Sequence, residues 1–253
     1  MISTQEDSLS SRLRQRRQNT VYPDSAKMGK TRKINDEKIN MSLTPDENIF
    51  LLDVLDYPAS TTTQRYRRLS FSTRHGNHLQ QFLLDKKLIT AHVVSAVRGQ
   101  AKLLELTKAA KDLLGSQEND PDRLGGPEHR YWKKRIADHL RSQGFQVTEE
   151  YPLGGGQTVD LVAERDGKRI ACEIETGNSD ASSNAQKCLK AGFDRVWVIT
   201  TSVRVRDNLT GKLPHNRRLS CWTAAEVLRQ VAFAGLQPRD SAKHVPATGW
   251  ESG

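Results

Sequence analysis

The sequence predicts an α/β protein in which a mixed β-sheet flanked by helices follows a smaller helical unit. After Pro127 the apolar residues change between helical and strand periodicity in the order αβββαβ, followed by a further strand and helix. The strand segments alternate apolar and polar residues, and the helical segments repeat apolar residues every three or four positions. This pattern is typical of a mixed α/β sandwich with helices packed on the sheet.

Composition divides the chain into five segments. They are a disordered basic tail (1–43), a helical domain (44–117), a polar linker (118–127), the α/β domain (128–236) and a flexible C-terminal tail (237–253). The basic tail is interpreted either as a nucleic-acid arm that adds salt-sensitive affinity or as an unstructured leader without a role.

The formal net charge of +9 and the pI of about 9.6 predict attraction to polyanions, of which nucleic acid is the simplest. A solvated basic surface without a specific partner is the alternative. A run of about 18 apolar residues, the length that spans a bilayer, is absent, so we expect no membrane partner. Widely spaced cysteines argue against a disulfide framework and a cysteine zinc site, and the cytoplasm is the expected compartment.

Residues 44–117 read as a helix, a helix-turn-helix, a β-hairpin and a last helix. Thr44 and Glu47 predict a capping box at the first helix, and Ser60 is expected to cap the second. Leu79 and Leu83 predict the buried face of the third helix, within which Gly76 lowers helix propensity.

This order of elements resembles the winged helix-turn-helix domains of bacterial regulators. The resemblance implies that the third helix enters the major groove of DNA while the hairpin forms the wing. The residues then expected to contact DNA are polar or basic side chains of the third helix and the hairpin, namely Arg74, His75, Asn77, His78, Gln81, Arg98 and Lys102. A module that docks on another protein is the alternative.

Two acidic strands make the region from Gly156 to Gly177 the most informative part of the chain. Asp160 lies on the first strand, and Glu173 and Glu175 lie on the second at alternating positions, so these two glutamates face the same side. If the strands pair through the turn at 164–168, Asp160 comes close to Glu173. Converging carboxylates repel unless a cation or protons neutralise them, and such oxygen ligands suit Mg²⁺ or Mn²⁺ in phosphodiester hydrolysis.

The order of elements and the spacing of acids resemble the PD-(D/E)XK nuclease superfamily, which includes restriction endonucleases and Holliday-junction resolvases. Asp160 matches the aspartate of its first motif, although Val159 replaces the proline, and Glu173 matches the second acid. Glu175 stands where the family has lysine, as in some family members with an E-x-E motif. Glu128 matches a glutamate on the first helix.

The resemblance implies a restriction-endonuclease-like fold and roles for these residues. Asp160 and Glu173, with the Ile174 carbonyl, are expected to hold one divalent ion, and Glu128 to assist a second ion or a water. Glu175 is expected to accept a proton or act as a ligand, and Lys187 to stabilise the reacting phosphate, with Gln186 as another match on the same helix.

Simpler interpretations of some of these residues stay open. Glu175 pairs with Arg169 or Lys187 in the alternative interpretation, and the helix dipole alone accounts for Glu128. His129 is expected to pack or to lie in solvent.

Three functions follow as hypotheses. The first is a metal-dependent DNA endonuclease that holds its substrate with a winged helix and that forms a homodimer if it cuts both strands. The second is an inactive nuclease-like DNA-binding or adaptor protein that works with a partner ATPase or mobile-element machinery. The third is a transcriptional regulator whose second domain senses a ligand, although no apolar pocket pattern supports it.

Overall fold

A computed structural model describes residues 43–116 and 125–229 of the chain. The predictions of a basic N-terminal tail and a flexible C-terminal tail, and most of the predicted linker, fall outside these ranges. Over the described part, no helix is both long and apolar enough to cross a membrane.

The N-terminal part contains four helices and a β-hairpin among its described residues. In chain order these are α1 (Pro45–Asp56), α2 (Thr62–Arg68), α3 (Thr73–Asp85), β1 (Ile89–Ser95), β2 (Gln100–Leu106) and α4 (Lys108–Leu113). β1 and β2 pair antiparallel from Ile89–Leu106 to Ser95–Gln100. The predicted order of elements is therefore confirmed, while the winged-helix assignment stays a proposal.

The helix caps follow the sequence prediction at α1 but not at α2. Thr44 and Glu47 form the expected capping box. The prediction that Ser60 caps α2 is wrong, because Thr61 and Gln64 form that capping box instead. Thr61 also makes an antiparallel bridge to Leu103, which holds its backbone in the extended conformation that an N-cap requires.

The C-terminal part is a five-stranded sheet with helices. Its elements are α5 (Pro127–Ser142), β3 (Gln146–Gly154), β4 (Gln157–Arg165), β5 (Lys168–Glu175), α6 (Ala181–Lys190), β6 (Arg195–Thr200), α7 (Val203–Leu209), β7 (Leu219–Thr223) and α8 (Ala224–Arg229). The strand order is β3-β4-β5-β6-β7, antiparallel from β3 to β5 and parallel from β5 to β7. The chain therefore belongs to the mixed α/β class.

Helix α7 is a correction to the predicted order of elements, in which the last two strands follow one another without a helix between them. Parallel neighbouring strands need a connection that returns the chain to the same end of the sheet, and a helix commonly supplies it. Ser202 caps α7 through its side chain, a signal that the sequence analysis overlooked.

The hairpin shares a hydrophobic core with the C-terminal sheet. Val94, Ala101 and Leu103 of the hairpin belong to the same buried cluster as Tyr131 and Trp132 of α5. The sheet residues Leu161, Ala163, Ile170, Cys172 and Ile174 complete this side of the core. The hairpin thus packs on the helix that leads into the candidate site.

Candidate active site

A cleft of about 440 Å³ opens where the start of α5 meets strands β4 and β5 and helix α6. Its lining includes residues from five different elements: His129 of α5, Glu150 of β3, Asp160 of β4, Glu173 of β5 and Lys187 of α6. The sequence analysis named three of these residues, Asp160, Glu173 and Lys187, as one site.

Three acidic residues occupy the same position across three neighbouring strands. The register that pairs Leu161 with Cys172 puts Asp160 opposite Glu173. The register that pairs Glu149 with Leu161 puts Glu150 opposite Asp160 on the other side. The predicted pairing of the two acidic strands is therefore confirmed.

Asp160 is a largely buried carboxylate held through one oxygen. Its Oδ2 accepts hydrogen bonds from the backbone N–H of Ile174 at 2.7 Å and from Nε2 of His129 at 3.0 Å. Burial by itself raises the pKa of Asp160, but the hydrogen bonds from His129 and Ile174 and the positive charge of Lys133 bring the pKa below its ordinary value. Asp160 is therefore ionised at neutral pH.

Glu173 is more deeply buried and has the opposite protonation behaviour. Its Oε1 lies 3.2 Å from Nζ of Lys187 and accepts a hydrogen bond from Sγ of Cys188 at 3.2 Å. Burial and the nearby charge of Asp160 raise the pKa of Glu173 to about 8, against the opposing effect of Lys187. The surroundings of Glu173 thus favour its neutral form, whereas those of Asp160 favour the charged form.

Glu175 lies next to the cleft without lining it. The side chain is only 1% exposed, and it accepts hydrogen bonds from the Ser179 hydroxyl and from Nδ2 of Asn184, the latter at 3.1 Å. Among the described residues, neither Arg169 nor Lys187 contacts it: Arg169 pairs with Glu164, and Lys187 pairs with Glu173. The sequence analysis did not foresee the Ser179 and Asn184 partners, because both follow the strand on a loop and a helix.

The start of α5 contributes His129 to the cleft, whereas Glu128 is not among the described residues that line it. His129 packs, as one of the two expectations for it states, since its side chain is only 15% exposed, but its ring is also hydrogen-bonded to Asp160, which was not expected. The sequence offered one signal for it: His129 lies in the first turn of a helix that directly follows a Gly-Gly pair. Gln186, the other match on α6, is exposed.

The sequence analysis also missed Glu150 and its partner Lys133. Glu150 has a positive φ of 50°, a conformation that costs energy for a residue with a side chain. Its neighbours Glu149 and Tyr151 pair with Leu161 and Val159 of β4, but Glu150 itself forms no backbone pair with Asp160. Its carboxylate bonds to the buried Nζ of Lys133, four residues after His129 on α5. Each of the three acids in the row thus has its own basic partner.

The donor set fits a hard divalent cation held by two carboxylates. No described residue hydrogen-bonds to Oδ1 of Asp160 or to Oε2 of Glu173, so each carboxylate keeps one oxygen for a ligand. Within residues 43–116 and 125–229, no three His, Cys, Asp or Glu side chains form a ready metal-binding group. Two carboxylates are nevertheless a common set for Mg²⁺, which keeps several waters and binds phosphate oxygens.

The residues predicted to contact DNA lie on α3 and the hairpin, and most of them are exposed. His75 is the exception: it is half-buried, stacks edge-on against Phe71 and lies 3.0 Å from the carboxylate of Asp46. Asn77 accepts a hydrogen bond from Tyr66, and Gln81 donates one to Asp85. The four others form no hydrogen bond or ion pair with any described residue: Arg74, His78, Arg98 and Lys102.

Comparisons with known proteins identify no family for this chain. No family model and no curated protein sequence matches it. Among solved structures, AF1548, a protein of unknown function, has 22% identity and a TM-score of 0.29 over 38% of this chain and 64% of its own. The match to AF1548 therefore spans less than two thirds of that protein.

Two further structures have comparable scores. A mutant of Lactococcus lactis ZitR has 18% identity and a TM-score of 0.24 over 54% of this chain and 92% of its own. Protein VC1899 from Vibrio cholerae has 14% identity and a TM-score of 0.29 over 74% of this chain and 55% of its own. At these scores none of the three structures carries an argument about this chain.

Proposed function

We propose that the protein is a metal-dependent DNA endonuclease with a restriction-endonuclease-like α/β part and a winged helix that holds DNA. The observation that carries this proposal is the meeting of Asp160 and Glu173 in one cleft, each with a carboxylate oxygen left for a ligand. Burying two acids beside one cleft lowers the stability of the fold, so stability by itself does not explain them. Such pairs are typical of sites that bind a cation.

Mg²⁺ or Mn²⁺ is the proposed cofactor, with Asp160, Glu173 and the carbonyl of Ile174 as its protein ligands. When bound, the ion neutralises charge on the reacting phosphate and lowers the pKa of a water. Asp160, already ionised, would supply permanent negative charge to the site, and Glu173 would be the second carboxylate ligand. Glu128 has no role in this mechanism, because His129 and not Glu128 lines the cleft.

Lys187 supplies the positive charge that the family motif obtains from the lysine two residues after the second acid. Its Nζ lies in the cleft, 3.2 Å from Glu173 and 3.2 Å from Oδ1 of Asn184. An ammonium group in this place is suited to hold a phosphate oxygen as negative charge develops on it. Glu175 is turned away into bonds with Ser179 and Asn184, so it accepts no proton from a reacting water in this proposal.

DNA is the proposed substrate because of charge. The chain carries a formal net charge of +9, and Arg74, His78, Arg98 and Lys102 are exposed on α3 and the hairpin. Contacts from such residues to phosphate give affinity that does not depend on sequence.

A second candidate is an inactive nuclease-like DNA-binding or adaptor protein that works with a partner such as an ATPase. The observation that favours it is Glu175, an acid at the position of the family lysine that is fully occupied by bonds to Ser179 and Asn184. This candidate predicts DNA binding without metal-dependent cleavage.

The deciding experiment compares wild-type protein with Asp160→Asn and Glu173→Gln on plasmid, linear, branched and single-stranded DNA, with Mg²⁺ or Mn²⁺. We expect either substitution to lower the cleavage rate by more than about a hundredfold while DNA binding in a mobility-shift assay changes little. Glu164→Gln is the matched control, since Glu164 lies on the same strand as Asp160 but bonds to Arg169 outside the cleft.

Cleavage that persists in Asp160→Asn would refute the nuclease assignment. DNA binding by wild-type protein without cleavage of any substrate, and without a Mn²⁺-dependent rise in its melting temperature, would support the adaptor instead. Sedimentation of the protein with and without duplex DNA tests whether it dimerises.

A further inference from the structure

The contact between His129 and Asp160 joins the first turn of α5 to strand β4. An ionised aspartate only accepts hydrogen bonds, so Nε2 of His129 carries the proton of this 3.0 Å contact. The second bond, from the Ile174 N–H, reaches the same Oδ2. Two donors on one oxygen fix the carboxylate plane and leave Oδ1 as the ligand atom.

His129 lies against Gly125, and Gly125 is in turn bonded to Arg130. Gly125, at a φ of +75°, leaves room for the ring: a Cβ at that position would lie 2.6 Å from Nδ1 of His129. The next residue along α5, Arg130, donates to the Gly125 carbonyl at 2.7 Å. Arg130 also forms an ion pair at 2.5 Å with Glu105, a residue of strand β2 in the hairpin.

We propose that His129 is the positioning residue of Asp160, and that Glu105 of the hairpin, acting through Arg130 and Gly125, holds His129 in that role. This inference rests on the proposed function, in which Asp160 is a metal ligand. It also gives the hairpin a second task besides DNA contact: the strand that carries Glu105 packs on α5 through Leu103, so the hairpin fixes the turn that orients the ligand.

The geometry distinguishes positioning from simple packing. A packing role needs only the volume of the imidazole ring, whereas a positioning role needs a donor at the place of Nε2. Glutamine carries an amide nitrogen at a similar distance from its Cα and therefore replaces the donor, while alanine replaces neither the donor nor the volume. The pair of variants His129→Ala and His129→Gln therefore separates the two roles.

The first measurement is Mn²⁺ affinity by calorimetry on the full-length protein without DNA. We expect His129→Ala to weaken Mn²⁺ binding by about 10- to 100-fold, the usual cost of losing a residue that orients a metal ligand. His129→Gln restores most of the affinity, and Glu105→Gln causes a smaller loss. Equal affinity in wild type and His129→Ala, or equal loss in both His129 variants, would overturn the proposal.

The second measurement needs no metal. Ring ¹⁵N spectra of histidine in metal-free protein are expected to show an Nε2 proton on His129 that is protected from exchange. This protection disappears in Asp160→Ala and in Gly125→Ala, whose methyl group displaces the ring, and persists in Gly126→Ala, where an added Cβ meets no atom within 4 Å. An unprotected Nε2 proton in wild type would refute the positioning contact.

The two measurements separate the two claims. Wild-type protein that binds no Mn²⁺ but shows the protected Nε2 proton refutes the proposed metal-dependent function and retains the His129–Asp160 contact. Wild-type protein that binds Mn²⁺ with unchanged affinity in His129→Ala retains the function and refutes the positioning role.

Discussion

Asp160 and Glu173 lie opposite each other on the neighbouring strands β4 and β5, and their surroundings shift their pKa values in opposite directions. Asp160 gains two hydrogen bonds to its charged form, and its pKa falls. Glu173 is buried beside that charge, and its pKa rises to about 8. Two carboxyls whose pKa values are separated in this way are characteristic of sites in which acids take different roles.

The raised pKa of Glu173 predicts how the stability of metal-free protein depends on pH. Its folded pKa of about 8 lies above its ordinary value of 4.5, so between these values the folded protein binds a proton that the unfolded chain has released. The contribution of Glu173 to the free energy of unfolding is therefore fully present at low pH and is lost as pH rises toward 8. Urea unfolding in EDTA across this range measures it.

Glu173→Gln is expected to remove this part of the pH dependence, because glutamine does not titrate. Glu164→Gln, on the exposed end of the neighbouring strand, should keep the wild-type slope. An identical slope in wild type and Glu173→Gln would show that Glu173 is ionised in the folded protein.

At the scale of elements, Gly76 shows how packing reverses a propensity argument. Glycine weakens a helix interior by about 1 kcal/mol relative to alanine, and on that ground Gly76 is a poor residue for α3. In the fold, the ring of Tyr66 from α2 lies directly over it: a Cβ at Gly76 would come within 2.5 Å of ring carbon Cδ1. Tyr66 is buried and bonded through its hydroxyl to Asn77 and Gln80, so it has no room to withdraw.

Gly76→Ala is therefore expected to destabilise the protein by about 1–3 kcal/mol, the usual cost of overpacking, despite its gain in helix propensity. Chemical denaturation measures the change. In a double-mutant cycle, Gly76→Ala should become neutral or stabilising when Tyr66 is also replaced by alanine, since the added methyl then fills vacated space. Stabilisation by Gly76→Ala alone would contradict the close contact.

At the scale of the whole molecule, the hairpin joins the N-terminal helices to the sheet that carries the cleft. Leu103 is fully buried in the cluster that contains Trp132 and Leu161, and its backbone bridges to Thr61 at the start of α2. One strand thus contacts both parts of the chain. The hairpin thus packs directly against α5, the helix that carries His129.

Leu103→Ala is expected to lower the free energy of unfolding by about 2–5 kcal/mol, because it leaves a cavity between the two parts. Hydrogen exchange followed by mass spectrometry should show faster exchange in peptides of both α1 and α5. Leu113→Ala is the control: that leucine is 45% exposed on α4, and its loss should change stability by no more than about 0.5 kcal/mol. Faster exchange confined to the N-terminal helices would show that the two parts unfold independently.

The sequence by itself determined the order of most elements, the capping box at Thr44 and the pairing that brings Asp160 opposite Glu173, because these depend on residues near one another in the chain. It did not reveal α7 or the cap at Thr61, where a crossover and a distant bridge to Leu103 decide the local structure.

Only the tertiary structure decided which partners complete the cleft. His129 reaches Asp160, Lys133 reaches the strained Glu150, and Ser179 and Asn184 occupy Glu175. Each of these contacts joins a strand to a separate helix or loop, so it depends on how those elements pack and not on the pattern of any single segment. Burial then sets the charge of each acid, a property that sequence spacing alone does not contain.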